Sequence, residues 1–172
     1  EHVFRLPYGY VELAQVDTPG AYDKVQGRSF TLIMVDELTQ WADPLADDML
    51  PFAYQVKSCA VHSIGAIDGL RKGLISPDTS TPPADFAALK ALMAKTVGAL
   101  EAVDPAEIDA CVGRDMRFEV GDLRLDFTAE NFLLSFSQPN FYFHAATAYD
   151  ILRWKGVPIG KRNFLGAMRL KR

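Results

Sequence analysis

The sequence predicts a mainly α protein, an antiparallel helical bundle in an incomplete or modified form, with a short β-hairpin near residues 116–127 and a β-rich segment at its N-terminal end. Three observations predict it. Apolar residues recur at three- and four-residue steps through three long stretches after residue 45, one twelve-residue stretch alternates apolar and polar, and residues 1–43 are rich in β-branched and aromatic residues punctuated by turns.

In chain order, Val3 to Leu6, Tyr10 to Val16 and Thr31 to Val35 read as strands, with "LPYGY" and "DTPGAYD" supplying turn chemistry between them. From Asp47 the period changes. "DDMLPFAYQVKSCAVHSIGAIDGLRKG" opens on acidic residues, has Pro51 near its first turn and closes on Lys72-Gly73, an ordered helix start and stop. Phe52, Val56, Cys59, Ala60, Ile64, Ile67 and Leu70 give it one apolar face, so it is expected as a single helix. "LISPDTSTPP" breaks the chain. "ADFAALKALMAKTVGALEAV" then resumes the period through Phe86, Leu89, Leu92, Met93, Val97 and Leu100.

In "MRFEVGDLRLDF" strict alternation on both sides of Gly121-Asp122 predicts the hairpin. Thr128 follows as an N-cap hydroxyl, and "AENFLLSFSQPNFYFHAATAYDILRWKG" runs as a long helical pattern closed by Lys155 and Gly156. Pro139 removes a backbone donor from that pattern, which places a kink or break near Ser137.

At 172 residues, 49% hydrophobic and 23% charged, the chain fits one soluble globular domain and is too apolar for disorder. No apolar run reaches the roughly 20 residues that span a bilayer, so no membrane partner is expected. The chain begins Glu1-His2 with no signal-peptide pattern and is read as a fragment whose natural start is missing. Cys59 and Cys111 stand apart without zinc-knuckle or disulfide spacing, which suits a reducing cytoplasm. Net charge is −4, yet residues 153–172 hold seven Lys or Arg and no Asp or Glu. That basic tail lacks regular aromatic interleaving and reads as solvated, not as a nucleic-acid interface.

"LADDMLPFAYQVK", "MRFEVGDLRLDFTAENFLL" and above all "PNFYFHAATAYDILRWKGVPIGKRNFLG" resemble a bacterial domain-of-unknown-function family of DinB/YfiT-like helical bundles, over residues 45–166. The resemblance implies a helical bundle and brings no established reaction with it. It also implies a leading helix before the matched region, and that helix is absent here. "FRLPYGYVELAQVDTPGAYDKVQGRSFTLIMVDELTQWADP" is similar instead to the Walker B region of a phage terminase large subunit, a DNA-packaging ATPase. By that likeness Asp36 would hold Mg²⁺ and Glu37 would activate water. The expected organisation is therefore a β-rich, terminase-like segment over 1–44, not an independent domain, and a helical-bundle domain over 45–172. A natural fusion, an assembly artefact or an engineered joining would each produce it.

An ATPase also needs a phosphate cradle, and G-x-x-x-x-G-K-[ST] occurs nowhere in the sequence. "GVPIGKR" at Gly156–Arg162 is one residue short between its glycines, puts Arg162 where the metal-binding hydroxyl belongs and follows a helix; it reads as a helix cap and turn. Asp36 and Glu37 accordingly read as a solvated strand-to-helix turn, and no catalytic activity is assignable.

The resemblance also implies that such bundles commonly hold a divalent metal with three histidines, one on the second helix and two a turn apart on the last. His62 and His144 are the candidates here, with Asn140 and Ala148 where a third ligand would stand. Two imidazoles hold a divalent ion weakly, which favours reading them as hydrogen-bonded core or interface histidines, with no cofactor expected. Cys59, three residues before His62, falls within the apolar stripe and is expected to be buried and inert. Phe132, Phe136, Phe141, Tyr142, Phe143, Tyr149 and Trp154 read mostly as core, part of them lining a pocket with Asn140 and His144. Without a leading helix, apolar surface along Val56, Ile64, Leu92 or Leu100 is expected to stay open unless the N-terminal segment or a second copy covers it, which predicts a homodimer through that surface.

Overall fold

The computed structural model describes residues 2–6, 9–13, 31–32, 49–168 and 170–171. The protein is mostly helical with small β elements. The N-terminal strands are β1 (His2–Leu6), antiparallel to β2 (Gly9–Leu13), which runs parallel to β3 (Thr31–Leu32). The remainder of the expected strands, and Asp36 and Glu37, lie outside the described residues.

The first long apolar pattern forms two helices, α1 (Phe52–Val61) and α2 (Ile64–Lys72), and not the single one expected. The reason is Ser63. Its hydroxyl donates to the carbonyl of Cys59 (2.6 Å), taking the acceptor that its own N–H would use in a continuous helix, and that N–H turns to Ala60 instead (3.3 Å). Ala66 N–H then bonds Ser63, which leaves the His62 carbonyl without its helical partner. The hydroxyl of Ser137, 75 residues on, supplies one at 3.0 Å. Gly73, at φ +70, ends α2 in the left-handed region that glycine enters without strain.

After the short β4 (Leu74–Ile75), α3 (Phe86–Glu101) starts on Asp85, whose carboxylate accepts from Ala88 N–H at 2.7 Å. A short α4 (Pro105–Asp109) leads to the hairpin β5 (Asp115–Val120) and β6 (Leu123–Thr128), closed by Gly121 at φ +54. The strand order is β4-β5-β6, with β4 parallel to β5. Thr128 stands at the N-cap of α5 (Ala129–Asn131), although its hydroxyl makes no capping bond; Ala129 N–H bonds Arg114 (2.9 Å) and Gly113 N–H bonds Glu130 (2.8 Å) instead.

The break expected near Ser137 takes the form of a π-helical turn, Phe132–Ser137, which continues into α6 (Gln138–Trp154) with Pro139 in its first turn. The wider turn suits a residue with no N–H to donate, and Asn140 donates its side-chain amide to the Phe136 carbonyl (2.7 Å). At the other end Gly156 N–H bonds Arg153 and Val157 N–H bonds Leu152, both at 3.0 Å, a Schellman closure with Gly156 at φ +86. "GVPIGKR" is thus a helix end followed by the start of α7 (Lys161–Leu165), where Asn163 Oδ1 accepts from Gly160 N–H.

Among the described residues three apolar clusters hold these elements. Phe52, Leu89, Ile151 and Leu152 join α1, α3 and α6; Leu70, Met116 and Phe132 join α2, the hairpin and the π turn; Cys59, Phe141 and Ala145 lie between α1 and α6. Val56, Ile64, Leu92 and Leu100 are half-buried. Of the aromatic set, Phe132 and Phe141 are buried, whereas Phe143 and Trp154 are about half exposed and do not belong to the core. No helix among the described residues is long and apolar enough to cross a membrane.

Candidate functional site

The break between α1 and α2 leaves His62 just past the last turn of α1, and His144 lies midway along α6. Packing of α1 on α6 brings the two imidazoles together, stacked at 5.7 Å between centroids and 16° between planes. Tyr54 (6.0 Å) and Phe143 (5.3 Å) meet His144 edge-on, and Phe136 meets His62 in the same way at 6.0 Å.

The polar atoms of this cluster are fixed by Gln55, which is buried. Its amide nitrogen donates to the Leu50 carbonyl at 2.8 Å, which sets the orientation of the amide and turns Oε1 toward His144 Nδ1 at 2.7 Å. An amide oxygen only accepts, so Nδ1 carries the proton and Nε2 keeps the lone pair. His62 Nδ1 is buried without a hydrogen-bond partner. Burial, and secondarily the neighbouring His144, lowers the His62 imidazole to about 4; burial lowers His144 in the same direction. Both rings are neutral at pH 7.

Neutral imidazoles are ligands and proton acceptors, and two of them fall short of a closed metal site. Ala148 offers no donor atom, Asn140 spends its amide N–H on Phe136, and no group of three or more His, Cys, Asp or Glu placed to hold a metal ion exists among the described residues. Cys59, one turn before His62, is buried among Phe141 and Ala145, and that burial pushes its thiol up to about 12; it is a core residue. The structure therefore brings His62 and His144 together as the sequence suggests, while Asp36 and Glu37 lie outside the described residues. Gln55, Ser137 and Tyr54 are the members that sequence reasoning missed. Gln55 had a signal: it sits between Phe52 and Cys59 at three- and four-residue spacing, a polar residue on a buried stripe.

Residues 33–165 match the family model of a domain of unknown function, DUF1993. The chain belongs to this family. The DUF1993 match begins before Asp36 and Glu37 and so includes both. Among solved structures, the DUF1993 chain is similar to the crystal structure of a DinB family member protein from Shewanella denitrificans, at 26% identity and a TM-score of 0.63, over 80% of this chain and 76% of that one. No curated protein matches it.

Proposed function

We propose that this DUF1993 chain is a helical-bundle domain without catalytic chemistry of its own, acting by association, and that the His62–His144–Gln55 cluster fastens α1 to α6. The observation that carries this reading is the chain of bonds from His144 Nδ1 through Gln55 to the Leu50 carbonyl, which commits the best-placed polar atoms between the two helices to holding the backbone. In the same reading residues 45–172 are one bundle-type domain, which the likeness to the DinB family member supports, and residues 1–44 are an accessory segment of which 33–44 fall within the family match. Inclusion of Asp36 and Glu37 in the family match supports reading them apart from a nucleotide motor.

A second reading rests on one atom. His62 Nδ1 is buried and unpartnered, and an imidazole nitrogen in that state suits a divalent cation or a ligand N–H better than it suits a finished core. Elemental analysis of the purified chain separates the two readings. Zinc well below one equivalent, unchanged by His62→Ala, is expected of a structural cluster. One equivalent, lost in His62→Ala, would overturn the structural reading in favour of a metal-binding bundle.

A further inference from the structure

We infer that the outer edge of β6 is a pairing surface for a second copy of this chain, joined antiparallel about Leu125. Among the described residues strand β6 ends its sheet, and Leu123 to Asp126 are exposed along it. The hydrogen-bond alternation of the hairpin decides which of its peptides point outward. Ala129 N–H bonds the Arg114 carbonyl, and Arg117 N–H turns away to Gly73 on the β4 side, so the pairs 114/129, 116/127, 118/125 and 120/123 face each other across β5 and β6. The N–H and C=O of Arg124 and Asp126 therefore face the open edge. An unpaired row of this kind is a template for another strand.

Side chains select the partner and the register. Along β6, Leu123, Leu125 and Phe127 share one face of the sheet, Arg124 and Asp126 the other. When two β6 strands run antiparallel with Leu125 opposite Leu125, Arg124 of each copy stands opposite Asp126 of the other, and their outward peptides form two hydrogen-bonded pairs. A slide of two residues either way places Arg124 opposite Arg124 or Asp126 opposite Asp126, and a slide of one residue turns apolar against polar.

The existing ion pairs extend this pattern. Within one copy Arg124 meets Glu119 at 3.4 Å and Asp126 meets Arg117 at 2.5 Å. Across the joined edge each charged row then reads Glu119, Arg124, Asp126 of the second copy, Arg117 of the second copy, alternating in sign over four strands. On the opposite face Leu125, 36% exposed, and Leu123, 50% exposed, come under cover of Leu125 and Phe127 of the second copy. The symmetry closes after two copies, so the contact forms a dimer and not a filament.

Sedimentation equilibrium over a concentration series tests this. The parent chain should form dimers. Arg124→Asp and Asp126→Arg, both at exposed positions, should each keep the circular dichroism spectrum and weaken self-association by about tenfold to a hundredfold, because two opposite-charge pairs become like-charge pairs. An equimolar mixture of the two variants should restore dimers, now between unlike chains. A parent that stays monomeric throughout overturns the inference. So does a dimer whose dissociation constant neither substitution changes, or two weakened variants that fail to pair with each other.

Discussion

Replacing His62 by phenylalanine should change how stability depends on pH more than it changes stability itself. In the unfolded chain the imidazole titrates near 6.5, and in the folded chain near 4, chiefly because burial disfavours its charged form. Above pH 6.5 the ring is neutral in both states and the folded state keeps its full stability. As pH falls from 6.5 toward 4, the unfolded chain takes up a proton that the folded chain refuses, and stability is lost. Each tenfold difference in proton affinity is worth about 1.4 kcal/mol, which sets a ceiling near 3.4 kcal/mol. His62 is only half-buried, so solvent screening reduces this to about 1.5 kcal/mol. His144, lowered by the same cause, adds to the loss in the parent and in the variant. Urea unfolding of both chains at pH 7.5, 5.5 and 4.5 is the assay, because carboxylate titration is common to the two and cancels in their difference. At pH 7.5 His62→Phe should lie within about 1 kcal/mol of the parent, since it removes a buried nitrogen with no partner. By pH 4.5 the variant should have gained about 1.5 kcal/mol relative to the parent. Parallel stability curves would show that His62 takes up its proton in the folded chain, and the burial argument would fail.

Two further substitutions probe the joints of the fold by urea midpoint. Lys57 is buried, its ammonium donating to the carbonyls of Asp78 (2.9 Å) and Ser80 (2.5 Å) and pairing with the Asp78 carboxylate at 3.1 Å. Lys57→Met keeps the stem and should cost about 2 kcal/mol, whereas Lys57→Ala should cost about 4, three buried methylenes being worth roughly 0.8 each. Equal losses would mean that the stem contributes nothing. Ser137→Ala strands the His62 carbonyl and should cost about 1–3 kcal/mol; a variant within about 0.5 of the parent would show that Ser63 alone maintains the break between α1 and α2.

The parts of this molecule that announce themselves in its sequence are those governed by neighbours a few residues away. The stripe from Phe86 to Leu100, the alternation around Gly121 and the Lys72-Gly73 stop all became the elements they predict. The division of the first helix did not show, because it depends on which carbonyl the Ser63 hydroxyl takes and on Ser137, which is remote in sequence. Two-residue β4 exists only because the hairpin lies beside it, and no two-residue pattern carries that information. His62 and His144 were visible as a pair of residue types; the amide that fixes the tautomer of one, and the missing partner of the other, are facts of three-dimensional placement. Phe143 and Trp154 were read as core because helical spacing gives a period and not an origin.

The π turn supplies that missing origin. Counted back from Ala148, Ala145 and Phe141 at regular helical spacing, the buried stripe would pass through Leu134, yet Leu134 is 64% exposed and Phe132 is fully enclosed. The wider turn rotates the first part of the segment so that Phe132 and Phe136 seat the aromatic rings of the hairpin while Phe141 and Ala145 still meet α1. One continuous rod thereby carries two differently aimed flanks. Winding residues 132–137 as ordinary α-helix with no change of sequence would swing Phe132 away from the hairpin by roughly the 100° of one residue, leaving the hairpin without its aromatic seat even though every side chain was still present.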